Sequence, residues 1–104
     1  MSTSDLLREA ITTRKAVAAT YDGHPRRFCP HKLGWKDGKL HVFVFQYGGT
    51  SSSVLPPGGD WRCMEVAGLS GARIIATEPW RTGALGHTGR PQSCVDQVLV
   101  STRG

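Results

Sequence analysis

What the chain has little of narrows its class before any motif is read. It holds three cysteines, Cys29, Cys63 and Cys94, an odd and widely spaced set with no C-x-x-C pair. A disulfide framework for a small secreted domain uses a denser, even set, so these three read as small buried apolar residues. No apolar run approaches the roughly 18 residues of a membrane span. The stretch from Met1 to Ala10 has neither the basic leader nor the apolar core of a signal peptide. A cytoplasmic address and no membrane partner are expected. Acids are scarce, eight against thirteen Lys and Arg, and none forms a run, which excludes an acidic tail. Collagen and coiled-coil periods are absent too.

Glycine is what the chain has in excess. Thirteen of 104 residues are Gly, above the usual ~7 %, which favours tight turns and short strands over long helices. Apolar residues at 38 % are enough for one modest core, so residues 1–104 read as a single domain. The formal charge is +5, and nine of the thirteen cations are Arg, the side chain suited to bidentate contacts with phosphate or carboxylate. On a domain this small, +5 is also compatible with simple solubility.

Ser4 and Asp5 read as an N-cap with an acid in the first turn, where the helix dipole favours it. Leu6, Leu7, Ala10 and Ile11 then form one apolar stripe, which predicts a helix over 4–13. After Lys15 the period becomes that of short strands. Residues 16–21 end at the turn dipeptide Asp22-Gly23, and 27–31 follow as a second strand. Pro30 in that strand marks an edge or an end, because it cannot donate to a ladder. Asp37-Gly38 is the strongest hairpin signal. It leads into 40–47, apolar on both faces and therefore a central strand. Residues 48–60 read as a long loop, 61–66 and 72–76 as strands about a turn at 68–71, and 77–93 as irregular. A last strand is expected over 94–100. The fold class that follows is mostly β (α+β), a small barrel of five or six strands behind a short helix. The barrel occupies about 16–76, and a tail, 77–104, closes or flanks it, with Trp80 plugging one end.

The order of residues resembles the WYL domain, a bacterial family. The helix ending in Ala10-Ile11, the strand closing on Tyr21, Arg27-x-x-Pro30, and a Gly before the aromatic-rich strand all contribute. Trp61-Arg62-x-x-Glu65-Val66 falls where that family has its F-R-L-D-R-I segment. The run Tyr21-Asp22-Gly23 to Pro30-His31-x-Leu33-Gly34 is also similar to small stand-alone bacterial proteins. The resemblance covers roughly residues 5–76 and implies an Sm-like barrel that senses a ligand, with nucleic acids or nucleotides leading. The eponymous Trp-Tyr-Leu is replaced around Leu40-His41-Val42, and no DNA-reading helix pair is present.

The densest basic stretch lies between Asp22 and Asp37, with Arg26, Arg27, Lys32 and Lys36, His24 and His31, and no acid. By the resemblance, Arg27 and Arg62 take the ligand-facing positions. Two guanidinium forks converging in one pocket would fix a phosphate from two directions. Arg26 and Lys32 would add field, and Tyr21, His31, Phe43 or Trp61 would meet a base. Against this stands the reading of these cations as a solvated strand face and of Trp61 as a plug beneath the Gly-rich loop. The expected function is therefore non-catalytic binding of an anionic ligand, a nucleotide or single-stranded nucleic acid. The alternative is a protein–protein or homo-oligomerisation module without a small ligand.

No cofactor is called for. Cys29 and His31 make a single short-spaced pair where a zinc site usually shows two, a poor start for such a site. Catalysis by a Cys29/His31 or Cys94/His87 dyad lacks an orienting third group, so an enzyme is not expected.

Overall fold

A computed structural model describes residues 2–49, 59–80 and 94–101. The first helix, α1 (Thr3–Thr13), begins one residue earlier than its periodicity predicts. Its cap is Ser2 rather than Ser4: the Asp5 N–H donates to the Ser2 hydroxyl at 3.1 Å. Arg14 ends the helix in the left-handed conformation, φ 54°, and its N–H turns back to the carbonyls of the last turn. Leu7, Ala10 and Ile11 face inward and are fully buried.

Six strands follow: β1 (Ala16–Tyr21), β2 (His24–Lys36), β3 (Lys39–Gly49), β4 (Asp60–Glu65), β5 (Leu69–Ile75) and β6 (Gln97–Ser101). All pair antiparallel, in the order β4-β3-β2-β1-β5 with β6 added on β2. Both predicted Asp-Gly turns are present. Asp22 and Gly23 have φ 55° and 77°, and Asp37 and Gly38 have φ 53° and 77°. Positive φ at both central residues matches the twist of the flanking strands, so each turn closes a two-residue hairpin.

The sheet departs from the sequence expectations at three points. Pro30 neither ends β2 nor lies on an edge; it pairs with Val44 inside a thirteen-residue central strand. It is tolerated beside a bulge, since the register steps from Pro30↔Val44 to Lys32↔Phe43 and leaves His31 as the extra residue. The turn between β4 and β5 is the 3₁₀ segment Val66–Gly68, and β5 already begins at Leu69. The sheet, finally, does not close into a barrel: β4 and β5 are the two ends of the path and do not pair.

It is nonetheless strongly curved. Tyr21 on β1 reaches across the helix-side face to β4, where its hydroxyl accepts the Glu65 N–H at 3.1 Å. That face carries the core: Leu7, Ala10 and Ile11 of α1 meet Val17, Ala19, Phe28, Leu33, Val42, Val44, Met64, Val66 and Leu69. Burying a leucine-sized side chain contributes about 1.5–3 kcal/mol, so this cluster is what folds the chain.

The length of β2 serves two partners. Its first half, His24–Phe28, pairs with β1, and Lys32–Trp35 pairs with β6. Gly34 makes the second pairing possible, because a Cβ there would lie 2.1 Å from the Gln97 carbonyl oxygen. Cys63 on β4 is joined to Cys94, in the lead-in to β6, by a disulfide. Two of the three cysteines are thus not the free buried residues expected. Cys29 is buried with a free thiol. Disulfides persist in oxidising compartments, so this bond weighs against a cytoplasmic address. No helix among the described residues is long and apolar enough to cross a membrane.

Candidate anion-binding site

Side chains directly opposite one another in an antiparallel pair share a face, so the registers assign every candidate residue. Phe28 pairs with Gln46, Val44 with Arg62, and Ala19 with Arg26. Arg26, Gln46, Arg62 and Tyr21 therefore stand on the helix-side face, in line with the core. Arg27 pairs with Ala18, Phe45 with Cys29 and Trp61, and Phe43 with Lys32 and Cys63. These lie on the opposite, outer face. The sequence-based pairing of Arg27 with Arg62 is thus not made: the two point to opposite sides of the sheet. Arg26 takes the place expected of Arg27.

The helix-side group is a polar layer at the end of the core. Arg26 is 6 % exposed and Gln46 fully buried. The Arg26 Nη1 donates to Gln46 Oε1 at 3.4 Å, and Gln46 Nε2 donates to the Gly48 carbonyl at 3.1 Å. The guanidinium also lies over the Tyr21 ring, 5.1 Å from its centre, a cation–π contact. Its Nε is buried with no hydrogen-bond partner, and no carboxylate among the described residues forms an ion pair with it. Burial first, then the charge of Arg62, lower its hold on the proton; Asp22 and Tyr21 oppose this. Arg26 is thus buried within the field of Arg62, which is itself only partly buried.

The outer face is organised differently. Phe43 and Trp61 stack with centroids 4.9 Å apart and planes 1° from parallel. Phe45 and His31 meet the Trp61 ring edge-on at 5.3 and 4.8 Å. Trp80 packs on His31 at 4.7 Å, so it covers this cluster rather than plugging an end. These rings pack on one another as a second small cluster, in which Trp61 Nε1 and His31 Nε2 are buried without a hydrogen-bond partner among the described residues. Most of the Gly-rich loop that Trp61 was expected to plug lies outside those residues. His31 Nδ1 lies 2.8 Å from the Cys29 carbonyl, which fixes Nδ1 as the protonated, donating nitrogen. Burial lowers the His31 pKa, so the ring is neutral at pH 7 and adds no cation. The disulfide consumes the thiol of the Cys94/His87 alternative, whose His87 lies outside the described residues.

Beside the aromatic cluster, Tyr47 donates its hydroxyl to Glu78 Oε1 and Arg27 Nη1 lies 3.7 Å from Glu78 Oε2. Burial and then the bond to Glu78 raise the Tyr47 pKa. Lys32 stands on the outer face between Phe43 and Ser101 of β6. No family model, curated protein or solved structure matches the chain.

Sequence reasoning missed Gln46, Tyr47 and Glu78. The only available signal for Gln46 was a polar residue within an otherwise apolar strand face.

Proposed function

We propose that the protein binds an anionic ligand without transforming it, and that Arg26 and Arg62 hold the ligand's phosphate. One observation carries the reading: a guanidinium nine-tenths buried, with an N–H that meets no acceptor, in the field of a second cation and without a direct ion pair among the described residues. Burying a charge is costly unless it is paired. An arriving anion relieves the repulsion and supplies the missing acceptor together. Gln46 fixes the Arg26 fork, and the Tyr21 ring backs it. The ligand class we favour is a nucleotide or single-stranded nucleic acid, in keeping with the resemblance to WYL domains. A helix packed on a sharply curved antiparallel sheet supports the Sm-like part of that resemblance.

The test is thermal unfolding of the full chain across a series of phosphates, nucleoside monophosphates and short oligonucleotides. A ligand at 100 times its dissociation constant stabilises by about 2.7 kcal/mol, which for a domain of this size raises Tm by roughly 10–20 °C. Arg62→Ala should abolish the shift. Arg62→Lys should retain part of it, since charge survives but the fork does not. An unchanged shift in Arg62→Ala refutes the proposal.

The interaction-module reading has its own observation. Trp35, Val98 and Leu99 are 40, 50 and 44 % exposed, two of them on β6 and the third at its pairing with β2. Val98 pairs with Gly34 and Trp35 with Gln97, so these two stand on opposite faces, and a protein partner or second copy would have to wrap β6 to bury both. Sedimentation velocity over a range of concentrations tests for the second copy.

A further inference from the structure

Arg27 and Arg73 frame a site that the helix-side group does not include. Ala18 pairs with Arg27 on β2 and with Arg73 on β5, so the three lie in one row of the outer face. Two strand spacings put the Cα atoms of the arginines about 9–10 Å apart, and the alanine between them keeps the floor low. A cleft of about 220 Å³ opens there, lined by Ala18, Thr20, Pro25, Gly49 and both arginines. Arg73 is exposed, and no carboxylate among the described residues pairs with it. Arg27 is half exposed and holds Glu78 only at 3.7 Å. An exposed ion pair this long contributes little, and a phosphate offering shorter, charge-assisted bonds displaces it.

Arg26 and Arg27 are successive residues of β2. The cleft and the Arg26–Arg62 site therefore occupy the two faces of the same stretch of strand, beside the turn at Asp22-Gly23, and Arg26 lines the cleft as well. We infer that the cleft is a second phosphate seat, and that the ligand is accordingly a short single-stranded oligonucleotide rather than a mononucleotide. A flexible strand passing over the rim places successive phosphates on the two faces; a mononucleotide fills the first seat only. This inference rests on the anion-binding role of Arg26 and Arg62.

The experiment uses the full chain with thymidine monophosphate, followed by calorimetry, and fluorescein-labelled octathymidylate, followed by anisotropy at several salt concentrations. The octamer is expected to bind at least tenfold tighter than the monophosphate. Arg73→Ala should remove most of that advantage and reduce the slope of log affinity against log salt by about 0.7, the value of one phosphate contact on a single strand. The same variant should leave the monophosphate unaffected. Arg8→Ala, an exposed cation on α1, should leave the slope unchanged and so separates a seat from mere net charge. Equal affinities for octamer and monophosphate, or an octamer indifferent to Arg73→Ala, would overturn the second seat while the first stands. Failure of both ligands to bind, or binding of both untouched by Arg62→Ala, would overturn the underlying reading instead.

Discussion

Reducing the Cys63–Cys94 bond is the perturbation whose size follows most directly from the fold. The two cysteines are 31 residues apart. In the chain-entropy model, closing a loop of that length removes about 12 cal/mol/K from the unfolded state, or about 3.7 kcal/mol at 25 °C. Small domains have only about 5–15 kcal/mol in total. Reduction should therefore lower Tm by roughly 15–30 °C without unfolding the chain at room temperature. The reason it stays folded is positional: the core cluster from Leu7 to Leu69 contains neither cysteine.

Urea unfolding of the oxidised protein, the protein in a phosphine reductant, and the Cys63→Ser/Cys94→Ser double variant would measure it. The reduced protein and the double variant should coincide, and both should lie 3–4 kcal/mol below the oxidised form. Thiol titration in denaturant should count one group, Cys29, before reduction and three after. A difference below about 1 kcal/mol, or a reductant effect that persists in the double variant, would refute the reasoning.

Two further outcomes follow from single residues. Gly34→Ala places a Cβ 2.1 Å from the Gln97 carbonyl oxygen and 2.4 Å from Val95 Cγ1. It should cost about 1–3 kcal/mol, as overpacking does, with loss of amide protection confined to β6 in hydrogen-exchange measurements. The His31 pKa lies below its ordinary 6.5 because burial opposes the charged ring. The unfolded chain thus takes up that proton more readily, and stability rises with pH there. The His31 contribution is complete above about pH 6.5 and is lost as pH falls through the lowered pKa. Between pH 7.5 and 5.5 the native protein should therefore lose more stability than His31→Gln, measured by urea unfolding; equal losses would contradict the assignment.

Much of the fold was legible because it is written in local chemistry. The stripe of Leu7, Ala10 and Ile11 and the two Asp-Gly dipeptides each specify one conformation from a handful of neighbouring residues. The same locality explains the errors. Pro30 signals a strand end only where its ring meets a regular ladder, and the bulge at His31 that accommodates it arises from pairing with β3. Cys63 and Cys94 lie 31 residues apart, and nothing in their spacing states that β4 and the lead-in to β6 meet. Closure of the sheet likewise depends on whether β4 and β5 find each other, a contact no short stretch encodes.

The candidate site shows why residue type can be right while the grouping is wrong. Successive residues on a strand face opposite ways, so Arg26 and Arg27 cannot both join Arg62, and a family resemblance chooses between them only if alignment is exact to one residue. Register decides it instead. Arg26 shares a face with Phe28, which pairs with Gln46, while Val44, two residues before Gln46, pairs with Arg62. The extra residue on β3 opposite Arg27 and Phe28 does not alter that parity, because β2 itself runs without interruption from His24 to Phe28 against β1. The arginine that is buried without an ion pair among the described residues is consequently the one that β1 holds in register. The exposed one is left to the outer face, where Glu78 already holds it loosely. Two cations adjacent in the chain thus acquire opposite roles from a single strand's pleat: one committed to the interior, the other free to exchange its acid for a ligand.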